Sequence, residues 1–203
     1  MVSIKEIINA FANCSISYNI VSAILDKSLS KIYPYRMIPP RDNYISWSEY
    51  FMGIAVLSAQ RSKDPNTQVG ACIISIKNII IGTGYNGFPT GCLDSQLPWG
   101  RDGDFLNTKY PYVIHAEENA IANSNNDLTG CTLYVTLFPC HNCAKTIIQQ
   151  GIKTIIYLRD QVNIEHQDSI IAAKRMFDLS GVRYSKYITK DGRNTEIFLK
   201  LTE

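Results

Sequence analysis

The sequence predicts an α/β sandwich built around a mixed β-sheet. Two neighbouring β-branched runs, 69–76 and 79–84, are separated by Lys77-Asn78, which is the length of a tight hairpin turn. Beyond this hairpin, strand-like segments alternate with segments of helical periodicity, as in proteins whose helices cover a sheet. An antiparallel hairpin followed by such alternation places both strand directions in one sheet.

The elements follow in order along the chain. A helix is predicted to begin at Ser46 or Ser48, because either hydroxyl can cap it, and to run to about residue 62. Its apolar face carries Trp47, Tyr50, Phe51, Ile54, Leu57 and Ser58. After the hairpin, a loop rich in Gly and Pro covers 86–98, and an irregular segment continues to 112. The later predictions are helix 115–125, strand 131–137, helix 140–150, strand 154–158, helix 167–179 and strands 182–188 and 195–199.

The first 43 residues differ from the rest of the chain. They contain an amphipathic helical pattern near 4–11, a weaker one near 20–29 and a Pro-bearing stretch at 33–41. We therefore predict an N-terminal helical, Pro-bearing extension over 1–43 and one domain over 44–203. The extension is either a variable tail or a segment with a targeting or oligomerising role.

Composition and charge are those of an ordinary globular protein. The 203 residues are 45% hydrophobic and 19% charged, and 20 Lys and Arg against 18 Asp and Glu leave a net charge of +2. These values exclude a disordered or fibrous chain. The basic residues are scattered along the sequence, so they predict no continuous basic surface that would bind a nucleic-acid backbone. The apolar runs fall far short of the ~18–20 residues that span a bilayer, and 1–13 lacks a signal-peptide core. We expect a cytoplasmic or nuclear protein that binds neither nucleic acid nor membrane.

The six cysteines are expected to be thiols or thiolate ligands rather than disulfides, because no secretory signal accompanies them. Cys72 and Cys131 lie in apolar strand-like runs, where a buried, unreactive thiol is the usual state. Cys140 and Cys143 are three residues apart at a predicted helix start, where the helix dipole favours thiolate. This pair is therefore the candidate for chemistry.

The chemistry-bearing residues are His115-Ala116-Glu117 and Pro139-Cys140-His141-Asn142-Cys143. Zinc binds imidazole and thiolate, and a catalytic zinc keeps three protein ligands and one open position for water. His115, Cys140 and Cys143 supply that set, and Glu117 would stand beside the water. The combination resembles the signature of zinc-dependent nucleobase deaminases, H-x-E with P-C-x-x-C and a Glu that is not a ligand. In that chemistry Glu117 moves protons from the attacking water to the ring nitrogen and the leaving ammonia.

These motifs have two other interpretations. A closed structural zinc site would need a fourth ligand, for which His141, Cys131 or Cys92 is available, but structural sites usually use a second close pair. The run 82–87 matches G-x-G-x-x-G, yet loop residues 88–91 stand where a dinucleotide site requires a helix to begin. A dinucleotide site is therefore disfavoured.

Longer runs resemble the deoxycytidylate (dCMP) deaminase family of the eukaryotic type. They are 47–52, 57–72, 84–92, 108–112, 115–121 and 137–145, and the resemblance covers about 44–187. It implies a three-layer α-β-α sandwich with a five-stranded mixed sheet, the cytidine-deaminase-like fold. The implied reaction is hydrolytic deamination of dCMP to dUMP and ammonia, which supplies dUMP for thymidylate synthesis.

The resemblance also implies roles for individual residues. The ligands of one catalytic Zn2+ per subunit would be His115, Cys140 and Cys143. Glu117 would shuttle protons, Asn86 would bond the deoxyribose, and the backbone around Ala116 would contact the base. The residues expected near the substrate phosphate are Arg61, Ser62, Asn66 and Thr67. The alternatives are that Arg61 is a helix-end cation and Asn86 a left-handed turn residue.

Regulation and assembly are implied in the same way. Family members are typically homohexamers, activated by dCTP and inhibited by dTTP with Mg2+. The nucleotide effector would bind a glycine-containing loop, at Tyr85, Asn86, Gly87 and Gly91, where the backbone can approach phosphates.

One segment departs from the family pattern. The family commonly has a short loop with a Tyr after the strand at 154–158, whereas 159–168 is longer here and lacks Tyr. Either Arg159 or His166 would then contact the phosphate, or the pocket would accept another cytosine nucleotide, such as dCTP or a modified dCMP. A catalytically silent nucleotide sensor is a further alternative, which the intact Glu117 disfavours.

Overall fold

The computed structural model describes residues 38–161 and 167–188. The chain divides into two units, Met1–Tyr44 and Ile45–Glu203. The helices predicted within 1–29 and the strand predicted at 195–199 lie outside the described residues, as does His166. The proposed boundary between extension and domain therefore stays a prediction.

The second unit contains a five-stranded mixed sheet, in agreement with the predicted fold. The strand order is β2-β1-β3-β4-β5, and β1 pairs antiparallel with both β2 and β3, whereas β3, β4 and β5 are parallel. The predicted hairpin is confirmed, and Asn78 in its turn has a φ of 59°, a left-handed conformation that Asn tolerates. The strands are β1 (Gly70–Ile74), β2 (Ile80–Tyr85), β3 (Thr132–Leu137), β4 (Thr154–Arg159) and β5 (Arg183–Lys186).

The α-helices of the described ranges lie on both faces of the sheet. In chain order they are α1 (Trp47–Ala59), α2 (Ala116–Ala122), α3 (His141–Gln149) and α4 (Gln167–Ser180). Gly151 and Gly181 follow α3 and α4 with φ values of 76° and 68°, as expected of residues that end a helix. None of these helices has the length and apolar content needed to cross a membrane.

The two faces of the sheet have separate hydrophobic cores. Ala71 and Ile73 of β1 are buried with residues of α2, α3 and α4, whereas Cys72 and Ile74 are buried with residues of α1. Successive strand residues point to opposite faces, so a strand covered on both faces buries every residue, as β1 does. This arrangement is the expected three-layer α-β-α sandwich.

Helix α1 starts as predicted, and its buried face matches the predicted one only in part, since Phe51 is buried and Ile54 packs against the same core. Ser46 caps it, since its hydroxyl accepts from the Glu49 amide at 3.2 Å and the Glu49 carboxylate accepts from the Ser46 amide at 2.7 Å. The helix ends at Ala59, three residues earlier than expected. Of the predicted apolar face, Trp47, Tyr50 and Leu57 are 61%, 39% and 47% exposed.

The residues that α1 buries are two large and two small ones: Phe51, Met52, Ala55 and Ala59. The two small ones lie at the close approach of α1 to the sheet at Gly70, where an added Cβ would lie 1.9 Å from the Ala55 carbonyl oxygen. The predicted apolar face therefore includes Phe51 but misses Ala55 and Ala59, whose backbone lies against the strand.

Helix α2 lies equally close to β2, and this contact explains two glycines of the G-x-G-x-x-G run. A Cβ on Gly84 would lie 2.3 Å from both the Ala116 oxygen and the Ala120 nitrogen, and one on Gly82 would lie 2.4 Å from the Ala120 oxygen. The run therefore serves helix-to-strand packing, and no helix begins directly after it, which agrees with the rejection of a dinucleotide site.

We predict that Gly84→Ala lowers the free energy of unfolding by about 1–3 kcal/mol, because the added methyl group meets backbone atoms that cannot move aside without displacing α2. Urea denaturation followed by circular dichroism measures the change. The matched control is Gly53→Ala in α1, where an added Cβ has nothing within 4 Å. Equal stabilities of the two variants would contradict the packing argument.

Candidate functional site

Two helix N-termini bring the candidate ligands together. His115 is the N-cap residue of α2, Cys140 is the N-cap residue of α3, and Cys143 lies in the first turn of α3. Strand β3 ends at Leu137, so the connection to α3 starts from the carboxyl end of the sheet. Backbone N–H groups are unpaired at helix N-termini, and they favour negatively charged ligands such as thiolate.

The three side chains have the spacing of a zinc site. The His115 Nδ1 atom lies 3.3 Å from the Cys143 Sγ atom and 3.4 Å from the Cys140 Sγ atom, and all three ligand atoms are within 4.8 Å of one another. Tetrahedral zinc bonded to nitrogen and sulfur separates its ligand atoms by roughly 3.6 Å, given Zn–S and Zn–N bonds of about 2.3 and 2.1 Å. The cluster fits Zn2+ by both donor type and distance.

The electrostatics of the cluster favour a cation. A hydrogen bond from Cys143, together with one from His115, lowers the pKa of the Cys140 thiol to about 3 despite its burial. The same contact with Cys140 raises the pKa of Cys143 well above its ordinary value, and the bond to Cys140 raises the pKa of His115 to about 9. Zinc binds thiolate and neutral imidazole, so a metal ion bound here would displace protons from these groups.

The alternative fourth ligands lie elsewhere. The His141 Nδ1 atom is 2.7 Å from the Ser169 hydroxyl, Cys131 is buried with its Sγ atom 3.9 Å from the Asp127 carbonyl oxygen, and Cys92 is exposed on a loop. Within 38–161 and 167–188, the group of metal-ligating side chains consists of three residues. Three protein ligands leave one coordination position open, as in catalytic zinc sites.

Glu117 is a buried carboxyl group beside this cluster. It is 4% exposed, and desolvation raises its pKa to about 7, although the charge of His115 acts in the opposite direction. A carboxyl group that titrates near neutral pH can both accept and donate a proton. The neighbouring Glu118 has a different contact, because its carboxylate accepts from the His115 backbone amide at 3.3 Å.

A cavity of about 580 Å³ opens onto these residues. Its wall includes His115, Ala116, Glu117 and Cys140 together with Thr67, Asn86, Arg101 and Lys109. Its volume lies within the roughly 300–1,000 Å³ that is usual for small-molecule sites. The predicted base-contacting residue Ala116 and the predicted sugar-bonding residue Asn86 therefore share one cavity with Glu117.

A buried carboxylate organises one side of the cavity. The Asp64 carboxylate is ion-paired with Lys109, accepts from the Asn86 side-chain amide at 3.2 Å, and accepts from the backbone amides of Asn66 and Thr67 at 2.8 and 3.3 Å. Burial acts to raise the pKa of Asp64, but the bonds from Lys109 and the backbone hold it below its usual range. Sequence reasoning missed Asp64 and Lys109, although an Asp that bonds the backbone two residues on is a known turn signal.

Asn86 has three contacts of its own within this side of the cavity. Its Oδ1 atom accepts from the Val69 amide at 2.8 Å, and its Nδ2 group donates to Asp64 and to the Thr67 carbonyl at 3.0 Å. The left-handed alternative is wrong, because among the described residues other than glycine Asn78 alone has a positive φ.

The residues predicted near a phosphate are divided between the wall and its surroundings. Thr67 lies in the wall, and its hydroxyl oxygen accepts a hydrogen bond of 2.6 Å from the Arg101 guanidinium. Arg61 is outside the wall, with its guanidinium 5.9 Å from the centre of the Tyr85 ring. Arg101 itself was not singled out from the sequence.

Ser62 and Asn66 connect segments behind the wall. The Ser62 hydroxyl donates to the backbone carbonyl of Asn86 at 2.8 Å, and the Asn66 side-chain amide donates to the carbonyl of Trp99 at 3.4 Å. Neither lines the cavity, so the structure assigns each of them a contact that supports residues in or near the wall.

The segment predicted to bind an effector begins at Tyr85, the last residue of β2. Tyr85 and Gly91 are exposed, Gly91 has a φ of 92°, and Gly87 forms two backbone hydrogen bonds of 3.1 and 2.9 Å with Ile114. Ile114 directly precedes the candidate ligand His115, so this loop is bonded to the start of α2.

Comparisons with known proteins agree with this geometry. Residues 45–159 match the family model described as the cytidine and deoxycytidylate deaminase zinc-binding region. The deoxycytidylate deaminases of Pongo abelii and Homo sapiens are 57% and 55% identical over 152 residues, which is 74% of this chain and 84% of each relative. Among solved structures, the dCMP deaminase of cyanophage S-TIM5 in complex with dCMP and dUMP is 27% identical, with a TM-score of 0.55, over 71% of this chain and 100% of that chain.

We predict that Cys140→Ala removes bound zinc, because the cluster loses one of its three ligands. Zinc is measured by mass spectrometry of the purified protein, and about one equivalent is expected in the unsubstituted chain. Cys92→Ala is the matched control, since this cysteine is exposed and outside the cluster. Zinc retained in full by Cys140→Ala would refute the ligand assignment.

Proposed function

The chain belongs to the cytidine and deoxycytidylate deaminase family, and we propose that it hydrolyses dCMP to dUMP and ammonia, which supplies dUMP for thymidylate synthesis. The observation that carries this proposal is the position of the buried Glu117 carboxyl beside the His115, Cys140 and Cys143 cluster in one cavity. The relatives named deoxycytidylate deaminase support dCMP as the substrate.

The proposed mechanism assigns each step to groups of this chain. Zn2+, when bound by His115, Cys140 and Cys143, supplies a Lewis acid that makes a water molecule more acidic. Glu117 accepts a proton from the attacking water, whose oxygen adds to C4 of the cytosine ring, and passes that proton to N3. Glu117 then moves the second proton of the former water to the amino group, which leaves as ammonia, so that C4 becomes a carbonyl carbon.

The remaining wall residues position the nucleotide in this proposal. Backbone groups around Ala116 contact the base. Asn86 bonds the deoxyribose through Oδ1, because both hydrogens of its Nδ2 group already have acceptors, whereas its oxygen has one lone pair beyond the bond from Val69. Of the four residues expected near the phosphate, Thr67 is the one in the wall, and Arg61, Ser62 and Asn66 act behind it.

We further propose that dCTP, as activator, and dTTP with Mg2+, as inhibitor, bind the loop that contains Tyr85, Asn86, Gly87 and Gly91, in a homohexamer. The support is the bonding of Gly87 to Ile114, which gives a direct connection from this loop to the start of α2. A nucleotide that moved the loop would therefore also move His115 and Glu117.

We predict that Glu117→Gln lowers turnover of dCMP by roughly 10²–10⁴-fold, because an amide cannot transfer the protons. Ammonia release from dCMP measures turnover, and zinc content should stay unchanged, since Glu117 is not a ligand. Glu118→Gln is the matched control, because its amide oxygen can still accept the His115 backbone hydrogen bond. Turnover by Glu117→Gln at the unsubstituted rate would overturn the proposed role.

We also predict a sigmoidal dependence of rate on dCMP concentration that dCTP converts to a hyperbola, because binding to the loop would favour the active arrangement of α2 in every subunit. Initial rates with and without dCTP, together with sedimentation of the protein, measure the response and the assembly. Superimposable curves from a hexameric sample would contradict the regulatory proposal and leave dCMP deamination untouched.

A further inference from the structure

A nucleotide phosphate in the cavity would be bound most strongly by a positively charged group that is not already neutralised. Four described residues of the wall carry basic side chains: Arg101, Lys109, His115 and His141. Their contacts decide which of them is available.

Lys109 is committed to the protein itself. It is 7% exposed and ion-paired with Asp64, which is 2% exposed. Withdrawing the ammonium group toward a ligand would leave a buried carboxylate without its counter-ion, which is strongly unfavourable. Lys109 therefore stabilises the wall rather than offering its charge to a substrate.

The two histidines are also engaged. His115 belongs to the metal-binding cluster. The His141 Nδ1 atom is 2.7 Å from the Ser169 hydroxyl oxygen, and that oxygen also accepts from the His141 backbone amide at 3.1 Å. These bonds connect the start of α3 to α4, so His141 has a structural contact of its own.

Arg101 differs from these three groups. Its side chain is exposed and belongs to none of the ion pairs found among the described residues. Its described hydrogen bond is the one from Nη2 to the Thr67 hydroxyl. A guanidinium has five N–H donors, so donors remain for an anion, and their planar arrangement suits two oxygens of a phosphate.

The backbone that leads to this arginine is held in place. The Trp99 ring packs on Phe88 with ring centres 4.0 Å apart, and the Trp99 carbonyl accepts from Asn66. The Gly100 carbonyl accepts from the Lys109 amide at 2.9 Å. The backbone before Arg101 is therefore fixed by these contacts. The guanidinium is oriented by its hydrogen bond to Thr67, whose backbone amide in turn donates to Asp64.

We propose that Arg101 binds the phosphate of the nucleotide substrate and makes the site prefer a nucleotide over the corresponding nucleoside. This inference rests on the proposed function, since it requires dCMP in the cavity. The phosphate is remote from C4 and keeps its charge throughout the reaction, so its contact with Arg101 contributes equally to substrate and transition state. Such a contact lowers KM and leaves kcat nearly unchanged.

The test compares Arg101→Ala and Arg101→Lys with the unsubstituted protein on dCMP and on deoxycytidine, which lacks the phosphate. Binding of dUMP and deoxyuridine, measured by calorimetry, gives a readout that does not need turnover. Arg175→Ala is the matched control, because Arg175 is exposed on α4 and outside the wall. Arg159→Ala tests the competing phosphate contact, since Arg159 is exposed at the end of β4 and also outside the wall.

For Arg101→Ala we expect the KM for dCMP to rise and the affinity for dUMP to fall, each by roughly 10- to 100-fold, the range of a charge-assisted hydrogen bond. Turnover of deoxycytidine and binding of deoxyuridine should not change. For Arg101→Lys the KM for dCMP and the affinity for dUMP should lie between those of the unsubstituted protein and Arg101→Ala. The reason is that an ammonium group keeps the charge but cannot form two parallel hydrogen bonds to the phosphate.

Three outcomes would overturn the inference. If the unsubstituted protein turned over dCMP and Arg101→Ala had the same KM for dCMP, phosphate binding by Arg101 would be refuted. The proposed deamination of dCMP would still stand. If Arg101→Ala lowered kcat/KM equally for dCMP and for deoxycytidine, Arg101 would act on the structure of the wall rather than on the phosphate. Failure of the unsubstituted protein to deaminate dCMP would refute the proposed function and this inference together.

Discussion

The close contact between α2 and β2 is the constraint on which the site depends. Helix α2 has seven residues, too few for a helix to be stable by itself in water. It is held because Gly82 and Gly84 leave room for its backbone, and because the Asn119 and Asn123 side chains donate to carbonyls of β2 at 2.8 and 2.9 Å. His115 is the N-cap residue of this helix and Glu117 lies in its first turn, so their positions follow from the glycines of a neighbouring strand.

The second half of the site depends on how β3 connects to α3. Phe138, the first residue after β3, packs its ring edge-on against Tyr157 of β4 with ring centres 4.8 Å apart, and also contacts Tyr184 of β5. Its amide donates to the Arg159 carbonyl at 2.9 Å. The chain direction into α3 is thereby determined by the parallel strands, which places Cys140 at the edge of the sheet where parallel α/β proteins commonly bind ligands.

The sequence predicts those parts of the molecule that depend on local pattern. The hairpin, the alternation of strands and helices, and the donor set of His115, Cys140 and Cys143 are visible in short stretches of residues. The full contact face of α1 is not visible in this way, because it depends on the close approach of the Ala55 and Ala59 backbone to Gly70. The pairing of Asp64 with Lys109 and the bond from Arg101 to Thr67 join residues 45 and 34 positions apart, so they become visible when the chain is folded.

The network around Asp64 has a consequence for the entropy of binding. The backbone amides of Asn66 and Thr67, the Asn86 amide and the Lys109 ammonium all converge on one buried carboxylate, so this wall is ordered without help from a ligand. The conformational freedom of these residues is lost when the protein folds rather than when a nucleotide arrives. A preorganised wall of this kind gives tighter binding than a loop of the same composition that must be immobilised at each encounter.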